Sequence, residues 1–307
     1  MADVEQFEHA AGGDGAGRAN RDAAAIEWTW SDTVEEWEDP TIVGINKEAP
    51  HTPLFSFTGA EAALQAALPF ATLPLRADAL PASLEKWRSP STSSRTVCLN
   101  GQWDFRWTPI VTDAPASMVP DEGWTTIAVP ASIQTQGFGL PIYTNQQYPF
   151  PLPPPQYPAG KMPLQNEVGD YHRQIELPEE ALSGDFQVFL VFEGVESCAS
   201  IFVDGVRVGL AKDSRVPAEF NITEQLRQTG GATHSIAVRT YRYSDGSLLE
   251  DQDHWRLSGI HRDVRLLLVP TAAAIRDFEV HATAEGSLSL SCDIVSYAAA
   301  AGTCAQL

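Results

Sequence analysis

Residues 186–192, Phe-Gln-Val-Phe-Leu-Val-Phe, form a nearly continuous, β-rich apolar run. A run of this kind reads as a strand buried on both faces. The surrounding sequence has a matching texture. Trp103, Phe105 and Trp107 alternate with polar residues, which predicts a strand within 98–107. Further strands are expected at 126–129, 234–240 and 264–269. Residues 200–203 and 206–209 flank Asp204-Gly205, a pair that supplies the positive φ of a type I′ turn, so a tight hairpin is expected. Asn221 and Glu224 have the spacing of a capping box, which predicts one short helical turn ending near Gly230-Gly231. Many short strands, turn signals and little helix predict an all-β fold of sandwich type.

Other segments are less regular. Residues 1–25 are rich in Ala, Gly and Asp and are expected to be disordered. The Gly12-Gly13-Asp14-Gly15 cluster follows no strand and lacks the lysine of a phosphate loop. Residues 26–86 read as an extended arm whose tryptophans pack onto a neighbour, with a short helix at Ala60–Ala67. Between Pro141 and Pro163 proline is too dense for a sheet, yet Tyr143, Tyr148, Phe150 and Tyr157 argue against plain disorder. After Pro270, residues 275–280 and 288–295 alternate around Glu285-Gly286 and predict a second hairpin. Two strands do not bury a core, so the sequence is expected to stop inside a second domain.

The chain has 307 residues, room for two domains, and its 43% apolar content supports a core. A formal charge of −20 excludes nucleic acid as a partner and opposes docking to anionic lipid. No apolar run approaches the roughly 20 residues that span a bilayer. The N-terminus lacks the basic and apolar regions of a secretory signal, so a cytoplasmic location is expected. Cys98, Cys198, Cys292 and Cys304 form no C-x-x-C pair and are expected to be free thiols. The sequon Asn221-Ile-Thr223 is expected to be unused.

The stretch from Ser244 to Val264 carries the chemistry. It sets Glu250, Asp251 and Asp253 beside Trp255, Arg256 and Arg262. Carboxylates accept hydrogen bonds from sugar hydroxyls, and an indole covers an apolar C–H face. If the segment is extended, Asp251 and Asp253 leave one face about 6.6 Å apart. Glycosidases place two carboxylates about 5–5.5 Å apart for retention, or about 6.5–9.5 Å for inversion. Such pairs usually face each other across a substrate from different elements. Three roles stay open for these acids: a catalytic pair, sugar or cation binding, and structural bonding to backbone amides or to Arg256 and Arg262.

In order along the chain, Leu99-Asn-Gly-Gln-Trp-Asp-Phe105, Pro141-Ile-Tyr-Thr-Asn145 with Tyr148-Pro149, Gly169-Asp-Tyr171, Phe192-Glu-Gly-Val195, Asp213–Phe220 and Ser244–Val264 resemble the N-terminal part of the large β-galactosidases of glycoside hydrolase family 2. The resemblance runs from about Trp87 to Val280. Trp37-Glu-Asp-Pro and Ile45-Asn-Lys are similar to arms of longer members. It implies a galactose-binding-like jelly roll at 87–270, preceded by an arm at 1–86. Residues 271–307 would be the incomplete start of an immunoglobulin-like sandwich, with a catalytic barrel beyond. It implies that Asn145 and Asp253 line a galactoside pocket and that Asp253 also ligates sodium in an incomplete site. Both catalytic glutamates and a magnesium site would lie on the barrel. The chain alone would then contribute no catalytic residue and turn nothing over, and the full-length protein would oligomerise. Ile133 stands where the family usually has Trp, and His254 and His261 replace apolar residues. The alternatives are a stand-alone carbohydrate- or partner-binding sandwich, and a family member with β-glucuronidase or β-mannosidase activity.

Overall fold

A computed structural model describes residues 27–64 and 93–298, and the backbone of 305–306. The expectations for residues 1–25, the Gly12–Gly15 cluster, Trp87 and Cys304 fall outside the described residues. Of the helix expected at 60–67, residues 60–64 are helical and 65–67 lie outside the described part.

The fold is all-β. A seven-stranded antiparallel sheet contains β1 (Gly44–Ile45), β3 (Gly101–Thr108), β4 (Thr125–Val129), β6 (Val168–Glu176), β9 (Cys198–Val203), β10 (Val206–Lys212) and β12 (Thr233–Tyr241), in the order β1-β10-β9-β12-β6-β3-β4. A four-stranded sheet contains β2 (Thr96–Cys98), β7 (Phe186–Phe192), β11 (Ala218–Asn221) and β15 (Val264–Pro270), in the order β11-β7-β15-β2. Two short ladders sit at one end. One pairs β5 (Ile142–Thr144) with β13 (His254–Arg256), and the other pairs β8 (Val195–Glu196) with β14 (Gly259–Ile260). Beyond the sandwich, β16 (Ala274–Ala282), β17 (Leu288–Val295) and β18 (Ala305–Gln306) form a three-stranded sheet.

Side-chain alternation explains how the two sheets close on each other. Trp103 and Phe105 of β3 point inward, as do Tyr171 of β6, Ile201 and Val203 of β9, and Ile236 and Val238 of β12. They meet Leu190 and Phe192 of β7, Leu266 and Leu268 of β15, and Phe220 of β11. Register aligns these layers, with Val238 opposite both Tyr171 and Ile201, and Leu190 opposite both Leu266 and Phe220. Every residue of β7 is buried, as its unbroken apolar run predicts. Its inner residues join the core. Phe189 on the other face packs on Tyr297 at 5.9 Å between ring centroids, and Val191 shares a cavity with Leu54 and Phe55.

The Asp204-Gly205 hairpin has φ values of 51° and 77°, the left-handed pair that a type I′ turn requires. The expected capping box does not form. Asn221 Oδ1 instead accepts from the backbone N–H and hydroxyl of Thr223, while Glu224 pairs with Arg227 one turn on. The helix Thr223–Thr229 is only two turns long and gains its order from that Asx turn and from buried Leu226. The proline-rich segment also departs from expectation, since Ile142–Thr144 does join a ladder. These three residues lie between Pro141 and Pro149 and keep the N–H groups that proline lacks.

Candidate sugar site at the end of the sandwich

The β5–β13 ladder builds the candidate site. It pairs His254 with Thr144, Trp255 with Tyr143 and Arg256 with Ile142. One step beyond the ladder the two strands carry Asn145 and Asp253, both exposed. Two residues 108 positions apart in sequence thereby reach one place because an antiparallel register brings them there.

Each acid of the 250–253 segment has a different neighbour. Glu250 accepts from the backbone N–H of Ser214 at 2.7 Å and from its hydroxyl at 2.5 Å. Asp251 forms an ion pair with Arg256, whose Nε also donates to Thr144 Oγ1 at 2.9 Å. Asp253 accepts from the Tyr143 phenol at 2.5 Å and has no ion-pair partner among the described residues. Asp251 and Asp253 lie outside any strand, and the chain turns at Asp253, where the N–H of His254 donates to the carbonyl of Gln252 at 2.9 Å. Both acids come from one short loop and do not face each other from separate elements. Arg262 donates to the carbonyl of Arg215 and takes no part in the acid cluster.

The base of the site is rigidly tied. Arg242, one residue past the end of β12, pairs with Glu167 at 2.5 Å. Its other nitrogen donates to the carbonyls of Leu140 at 2.7 Å and Arg256 at 2.9 Å, so one guanidinium holds the entry of β5 and the end of β13 together. Below, Glu196 sits in a small cavity with Glu250, His254 and Arg256. Burial raises its carboxyl pKa, and the Arg215 guanidinium at 3.0 Å opposes that rise. The hydrogen bond to Asp253 raises the Tyr143 phenol, because losing its proton would set two anions face to face.

The exposed surface here is aromatic as well as acidic. Trp255 and Tyr143 are 56% and 47% exposed, and their rings lie 5.8 Å apart. Open rings beside hydrogen-bond acceptors are the surface on which a sugar ring can lie. Tyr143 as the partner of Asp253, and Glu196 as a buried acid, are not evident from sequence spacing. The only trace of the former is that Tyr143 stands two residues before Asn145. Among the described residues no group of three or more His, Cys, Asp or Glu side chains converges as a metal site. Asp253 offers a single carboxylate, whereas hard cations gather about six or more oxygens, so these residues alone do not complete a sodium site.

Residues 97–270 match the family described as glycosyl hydrolases family 2, sugar binding domain, over more than half of the chain. Among solved structures, the chain is similar to β-glucuronidase 2 of Bacteroides uniformis, at 22% identity and a TM-score of 0.48 over 66% of this chain and 22% of that one. It is similar to the β-glucuronidase of Bifidobacterium dentium, at 17% identity and a TM-score of 0.46 over 66% of this chain and 36% of that one. It is also similar to a family 2 β-galacturonidase of Eisenbergiella tayi, at 18% identity and a TM-score of 0.41 over 66% and 29% of the two chains. The chain thus spans 22–36% of the length of these enzymes. It belongs to glycoside hydrolase family 2, whose sugar-binding domain it carries.

Proposed function

We propose that this chain is the sugar-binding part of a retaining β-galactosidase that hydrolyses terminal β-D-galactosides. The observation that carries the reading is Asp253, an exposed carboxylate held by a phenol and left without a counter-cation beside Asn145. An unneutralised carboxylate accepts hydrogen bonds from the hydroxyls of a neutral sugar.

In this reading Asn145 and Asp253 orient the galactosyl hydroxyls, and Trp255 or Tyr143 shields one face of the ring. Glu250 and Asp251 are engaged by Ser214 and Arg256, so this segment binds and does not cut. The nucleophile, the acid/base and a magnesium site would come from a barrel domain of the whole protein. Asp253 would give one ligand to a sodium ion whose other oxygens come from that domain, from water or from the sugar itself.

The test is to raise antibodies against this chain, capture the native protein from its source cells and assay it with chromogenic glycosides. Turnover of a β-galactoside, lowered when sodium is replaced by a bulky organic cation, is expected. Turnover of a β-glucuronide with none of the β-galactoside would overturn the assignment. So would hydrolysis of a β-galactoside by the purified 307-residue chain alone.

A further inference from the structure

The segment 28–39 touches both loops of the candidate site at several independent points. Trp28 packs against the cluster of Phe150, Met162 and Tyr243, together with Tyr148 and Leu248. Tyr148 and Phe150 follow Asn145 on one loop, and Leu248 precedes Asp253 on the other. Tyr148 also donates to the carbonyl of Leu248 at 3.1 Å, so the cluster is where the two loops meet.

Ten residues on, the buried carboxylate of Glu38 accepts from Lys161 Nζ at 2.6 Å and from the N–H of Met162 at 3.1 Å. These contacts fix the end of the proline-rich loop. The carbonyl of Trp37 accepts from the N–H of Asp245 at 2.9 Å, and Lys212 pairs with Asp245 at 2.6 Å while donating to the carbonyl of Asp39. These fix the start of the acidic segment. Gly160 is pressed so closely here that a Cβ would lie 2.5 Å from the Glu38 carbonyl oxygen.

We propose that residues 28–39 are a strap that sets the position of the Asn145 loop relative to the Asp253 loop, with Trp28 and Glu38 as its positioning residues. This rests on the assignment of Asn145 and Asp253 to the sugar site. Neither strap residue touches the sugar. Trp28 acts by filling the junction between the loops, and Glu38 by holding Lys161 and Met162.

Hydrogen exchange read by mass spectrometry on the full 307-residue chain tests the strap without reference to any ligand. Trp28→Ala is expected to speed exchange of residues 141–157 and 246–257 about tenfold, leaving β7 and β15 at wild-type rates. Trp28→Phe, which keeps an aromatic ring in the junction, should restore slow exchange. Glu38→Gln should loosen 158–163 and 245–250 in the same way. Wild-type exchange in both loops of the Trp28→Ala protein would overturn the proposal, and so would a uniform rise through every strand. Galactose binding by calorimetry is the companion measurement: an unchanged affinity in Trp28→Ala would overturn the positioning role, and a weakening of about tenfold would support it. Should the wild-type chain bind no galactose, the sugar assignment fails while the exchange pattern still decides the strap.

Discussion

The phenol of Tyr143 donates to one oxygen of Asp253, and the other oxygen has no donor among the described residues. That asymmetry is what a binding carboxylate needs, one side fixed and one side open. Removing the hydroxyl in Tyr143→Phe should free the Asp253 side chain to rotate. A loss of roughly three- to tenfold in galactoside affinity is expected, the scale of one ordinary hydrogen bond whose loss loosens a binding group, with an unchanged melting temperature. Titration calorimetry and thermal unfolding check the two halves. His261 gives a second residue-level prediction. Burial, with Arg215 and Arg262 nearby, holds it down at about 4 from an ordinary value of 6.5. The unfolded chain therefore takes up a proton below 6.5 that the folded chain refuses until about 4. Stability is fully present above the upper value and falls as the pH drops through this window. His261→Phe should remove that acid-side loss, on the order of 1–2 kcal/mol after allowance for partial exposure. Denaturant unfolding at pH 7 and pH 4.5 would show it, and an identical pH dependence in the two proteins would exclude it.

At the level of elements, what the sequence reveals depends on how local the cause is. The burial of Phe186–Phe192 is legible because its pattern lies within seven consecutive residues. The Asp204-Gly205 turn is legible because its backbone requirement lies in two. The Asn221 capping box fails by a single residue, because Thr223 offers both its N–H and its hydroxyl to Asn221 and outcompetes the more distant partner. Of the candidate site, Asn145 and Asp253 are legible only as residues that the resemblance names. The Tyr143–Asp253 bond is not, because its partners lie 110 residues apart and only the β5–β13 register joins them. The packed segment 28–39 is the hardest to read. Trp28 and Trp37 advertise a partner, but nothing in the sequence says that Glu38 finds Lys161, 123 positions away. That pair is almost fully buried, at 3% and 1% side-chain exposure. Lys161→Met should leave the Glu38 carboxylate inside the protein without its counter-charge and destabilise the fold by about 3 kcal/mol. Urea unfolding measures this, and a change under about 1 kcal/mol would mean that backbone donors alone satisfy Glu38.

Across the whole molecule the two sheets of the sandwich are covered unequally. The outer face of β7 is sheltered by Leu54, Phe55 and Tyr297. The edge of the seven-stranded sheet is closed by the short pairing of β1 with β10. Among the described residues the β16–β17 hairpin has no comparable cover. Register places Val280 opposite Leu290 and Ala282 opposite Leu288, yet Val280 is 51% exposed, Leu290 62% and Leu288 73%. Phe278, two residues before Val280, is 38% exposed on the same face. An open apolar face on a hairpin is a template for contact with another molecule, and each large side chain withdrawn from water there gains about 1.5–3 kcal/mol. The purified chain should therefore self-associate at micromolar concentration through this hairpin, while its sandwich stays folded. Replacing Leu288 and Leu290 together, as Leu288→Lys and Leu290→Glu, sets opposite charges on the face without changing its backbone pairing. Light scattering should then report a monomer where the parent chain reports larger species, with the same melting temperature for both. If the doubly substituted chain associates as strongly as its parent, the contact lies elsewhere, and the exposed Leu140, Leu249 and Trp255 beside the candidate sugar site become the surface to change next.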